Sequence, residues 1–124
     1  WSRPYRQKLR GTFVDPSASS FTLEVRRLPG RFHLQLANNT VLEGIRKVST
    51  MFAADNLYVH ERCAGLCEEL MNYTWDTKAS ERGEDRPVKL YDHGPDALRY
   101  VVNSLPHVYN RLMRLRNDTS RIQF

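Results

Sequence analysis

In Lys89-Leu-Tyr-Asp-His-Gly-Pro-Asp-Ala-Leu-Arg-Tyr100, three potential metal ligands, Asp92, His93 and Asp96, fall at the entrance to a helix, and Lys89 lies on the approach to them. Far upstream, the apolar run Thr12-Phe-Val14 ends on another carboxylate, Asp15, followed by Pro16 and Ser17. A hard cation such as Mg²⁺ prefers oxygen ligands and keeps waters that a phosphate can displace, so carboxylates gathered from separate elements suit metal-dependent phosphodiester chemistry. Asp96 is the best-placed ligand, because a carboxylate in the first turn of a helix is favoured by the helix dipole. His93 could ligate a metal or orient a metal-bound water, Asp92 could ligate or cap the helix, and Lys89 could neutralise a scissile phosphate.

These residues need elements to hold them. Gly11 to Val14 reads as a short buried strand, and Asp15-Pro-Ser17 opens a helix whose apolar positions are Phe21, Leu23, Val25 and Leu28. Phe32 to Leu36 alternates in the manner of a half-exposed strand. Val41, Leu42, Ile45, Val48 and Phe52 recur at helical spacing, which predicts a helix over 40–54 with one stripe against a sheet. Leu57 to His60 has strand composition, and Ala64, Leu66, Cys67, Leu70 and Met71 mark a further helix. The polar stretch 77–87 reads as a surface loop. Gly94 and Pro95 start a helix carrying Leu98, Val101, Val102 and Leu105, and Pro106 ends or kinks it before the stripe of Val108, Leu112 and Leu115.

At 124 residues the chain suits one domain: a basic arm over 1–10, a core over 11–105, and a basic helix and tail over 106–124. Its start at Trp1, with no Met and no signal-like apolar run, is that expected of a segment of a longer polypeptide. The formal net charge is +5, with basic ends and an acidic centre. Arg99, Arg111, Arg114 and Arg116 make the C-terminal end a candidate grip on a DNA backbone. Cys63 and Cys67, four apart on one helix face, are poorly set for a disulfide and read as reduced core thiols. With His60 they fall short of a zinc set, and the sequons at Asn38, Asn72 and Asn117 lack a secretory signal, so a secreted or zinc-stabilised domain is the weakest of three readings. Neither a phosphate-binding Gly-rich loop ending in Lys-Ser/Thr nor a Gly-x-Ser-x-Gly nucleophile turn occurs.

Four segments together resemble a known family: Val14-Asp-Pro-Ser17, Asn39-Thr-Val-Leu-Glu-Gly-Ile45, Glu69-Leu-Met-Asn-Tyr-Thr-Trp-Asp76 and Pro87-Val-Lys-Leu-Tyr-Asp-His-Gly-Pro-Asp-Ala-Leu-Arg-Tyr100. They look like the later part of the nuclease domain of tailed-phage large terminase subunits. The resemblance implies an α/β, RNase H-like (retroviral-integrase-like) nuclease fold whose acidic cluster binds two Mg²⁺ or Mn²⁺ ions, roughly 3.5 to 4 Å apart, and cuts concatemeric viral DNA. It gives Asp15 the place of the second acid, Asp96 that of the last, and His93 that of a histidine three positions before it. It also implies double-stranded DNA, the ATPase domain, small terminase and portal as partners, and the bacterial host cytoplasm as location. The family's pattern has a further acid on its first strand, and no Asp or Glu precedes Asp15, so the first strands are expected to be missing. The strand over 11–14 should then have an open edge, paired across an oligomer or covered by residues 1–10. The alternative reading is a non-catalytic terminase fragment that binds DNA or packaging partners through its basic ends.

Overall fold

A computed structural model describes residues 11–29 and 33–119, the side chains of 116–119 excepted. Eight elements follow in order: β1 Thr12–Val14, α1 Ser19–Arg27, β2 Leu34–Leu36, α2 Val41–Ala53, α3 Ala64–Asn72, α4 Thr77–Ser80, α5 His93–Ser104 and α6 Pro106–Thr119. The strands β1 and β2 pair in parallel, with Thr12 opposite Leu34 and Val14 opposite Leu36, and α1 makes the crossover. The chain is therefore α/β, with a two-stranded parallel sheet among the described residues and helices in sequence beyond it.

The centre of the molecule is α5. It packs on α2, on α3, on β1 and on the start of α6. Val48 and Met51 of α2 meet Val102 of α5 in the core, with Leu57, Leu98, Tyr109, Leu112 and Met113 packed around them. Close approach of α2 to α5 requires Gly44: a Cβ there would come within 2.7 Å of Arg99 Cδ and closer still to Arg99 Cγ. Gly94 plays the same part between α5 and α3, where a Cβ would meet Leu66 Cδ1 and Glu69 Oε2 at 2.8 Å each.

Several expectations need correcting. Leu57 to His60 is not a strand: α2 ends in a turn at Asp55, whose φ is +53°, and Leu57 then packs on the α2–α5 core with no strand beside it among the described residues. The stripe of α2 therefore faces chiefly a helix, α5, in place of a sheet. In α1 the buried residue is Thr22, whose hydroxyl donates to the Ala18 carbonyl, while Phe21, Leu23 and Leu28 are exposed. Met71 of α3 is exposed, and Cys63 is an exposed free thiol and no core residue. The stretch 77–87 contains α4 and a fully buried Ala79. It is closed at its base by the Trp75–Pro87 bridge, and Asp76 caps α4 by accepting from the Ala79 amide at 3.1 Å. Among the described residues β1 pairs only with β2, and the arm proposed to cover its edge, residues 1–10, lies outside them.

Candidate functional site

Asp15 stands at the end of β1, where the chain turns toward α1. Its Oδ1 accepts the Ser17 amide at 2.8 Å, the short-range loop expected of Asp in such a turn. Its Oδ2 accepts the Tyr100 hydroxyl at 2.5 Å, a contact that ties β1 to α5 across 85 positions of sequence. The two groups polarise one another. The Tyr100 hydroxyl, with the Ser17 amide second, holds the Asp15 carboxyl below its ordinary value, whereas burial first and the Asp15 bond second push Tyr100 up to about 12.

Asp96 is one helical turn before Tyr100, so both side chains rise from one face of α5. Its Oδ1 receives two donors of Arg99, with Nη2 at 2.8 Å and Nε at 3.3 Å. Its Oδ2 receives the Lys89 ammonium at 3.3 Å. The same ammonium lies 3.1 Å from Asp92 Oδ2, but outside hydrogen-bond geometry, so that contact is an ion pair only. Asp92, with Asp96 after it, makes the Lys89 proton harder to remove than usual. Nearby, burial of Tyr73 and then the Asp96 charge raise its phenol above the ordinary value.

The N-terminus of α5 is held from outside. Asp92 occupies the capping position without a side-chain capping bond. Instead Glu69 Oε2, on α3, accepts the Gly94 amide at 2.6 Å and satisfies one of the free N–H groups of the first turn. His93 is exposed beside it.

The structure thus brings Asp92, Asp96 and Lys89 into direct contact and links Asp15 to their helix through Tyr100. Arg99 is not the surface cation expected of a DNA contact. It is 3% exposed, gives Nη1 to the Asn39 carbonyl at 2.7 Å, and stacks its guanidinium 4.8 Å from the Tyr100 ring centre. Arg111 and Arg114 are exposed on α6, where they line a shallow groove with His107 and Asn110. The Arg116 side chain lies outside the described residues. Two residues of the site escaped the sequence reading. Tyr100 was findable, since four residues after Asp96 is the same helix face; Glu69 was not, since only the packing of α3 on α5 brings it to Gly94.

The donors present suit a hard cation in kind but not in number. Both Asp96 oxygens already hold a cationic side chain, and among the described residues no three His, Cys, Asp or Glu side chains converge as a metal centre requires. His60, Cys63 and Cys67 likewise form no such group, and His60 Nδ1 accepts the Arg62 amide.

No known family profile matches the chain. Over 103 residues it is 29% identical to the large terminase subunit of Escherichia phage T5, an alignment covering 81% of this chain and 23% of that protein. Its fold superimposes on the large terminase of a thermophilic bacteriophage with a TM-score of 0.74 and 42% identity, over 82% of this chain and 25% of that one. The thermophilic phage protein was solved with ATP-γ-S and with ADP, and a second crystal form of it gives a TM-score of 0.72. The chain spans about a quarter of the length of these relatives. In sequence and in fold it is accordingly similar to one part of these phage large terminase subunits.

Proposed function

We propose that the chain is the later part of the RNase H-like nuclease domain of a phage or prophage large terminase, and that it contributes Asp15 and Asp96 to a Mg²⁺ or Mn²⁺ site for cutting packaged DNA. The observation that carries this reading is the Tyr100 clasp, which fixes a strand-end carboxylate beside the helix face that bears Asp96, within a fold shared with large terminases. Two carboxylates drawn from a strand and a helix are oxygen donors of the type such cations take. The remaining donors would come from a part of the terminase outside this quarter, as would the ATPase. Double-stranded DNA is the substrate, small terminase and portal are the partners, and the host cytoplasm is the place of action. No helix among the described residues is long and apolar enough to cross a membrane.

The test is nicking of supercoiled plasmid in Mn²⁺ by the chain and by its Asp15→Asn and Asp96→Asn variants. Metal-dependent nicking lost in both variants supports the reading, and nicking that persists in both rejects this site. A second reading is favoured by the cations already seated on Asp96: the chain binds DNA through α6 and does not cut. It is supported by salt-sensitive DNA binding without nicking, and abandoned if affinity is indifferent to salt.

A further inference from the structure

We draw no further inference here: the strongest candidate, the apolar cleft between α2, α3 and residues 57–59, whose rim exposes Tyr58 and Met71, carries none because nothing among the described residues shows what covers it.

Discussion

The bond between Tyr100 and Asp15 sets two pH dependences of opposite sense. Tyr100, raised to about 12, keeps its proton in the fold where the unfolded chain loses it near 10, so its contribution is complete below pH 10 and is lost as pH rises through about 12. Asp15 is lowered, so its contribution is present above the ordinary 3.8 and is lost as pH falls through the folded value. Tyr100→Phe should therefore flatten the decline in urea midpoint between pH 10 and 12 and return the Asp15 carboxyl toward 3.8 in an NMR titration. An Asp15 titration unmoved by the substitution would refute the clasp. Arg99 carries the opposite lesson about what residue types disclose. A run of arginines near a chain end suggests a phosphate grip, but charge cannot say which guanidinium turns inward, and this one is buried against Asp96 and Asn39.

Between elements, the junction of α2 and α5 depends on Asn103, which is 2% exposed. Its Oδ1 accepts the Lys47 ammonium at 2.8 Å, and its Nδ2 donates to the Asn38 and Thr40 carbonyls at 3.3 and 3.4 Å, holding the turn that leads into α2. Asn103→Leu strands those three groups, and a loss of about 1–3 kcal/mol in urea unfolding is expected. At the other end of α5, Gly94→Ala crowds Leu66 and Glu69 and should cost about 1–3 kcal/mol by the same measurement. The helices on either side of this junction could be read from spacing: α2 and α5 follow their apolar periodicity, and Pro95 and Pro106 mark where α5 and α6 begin. The segment Leu57 to His60 could not be, because strand composition specifies a strand only when a neighbour offers the ladder. With none beside it among the described residues, Leu57 serves the helical core instead.

For the molecule as a whole, the sequence indicated a carboxylate from the first strand and another from the helix start, and the fold links both through one helix, α5. What stayed hidden were the long-range partners, Glu69 on Gly94 and Asn39 on Arg99, which no local pattern announces. Charge organisation makes its own prediction. Arg111 and Arg114 lie exposed on α6, so replacing both with Ala should weaken DNA binding regardless of sequence and lower the salt slope by about two, read by fluorescence anisotropy across a NaCl series. The absence of a side chain at position 44 reaches further than its own packing. The methylene stem of the arginine steadying Asp96 passes directly over that bare backbone, so the fit of an acid on one helix is dictated by a vacancy on another. In related proteins positions 44 and 99 should then drift as a couple: a bulkier residue at one is tolerable only where a shorter one stands at the other.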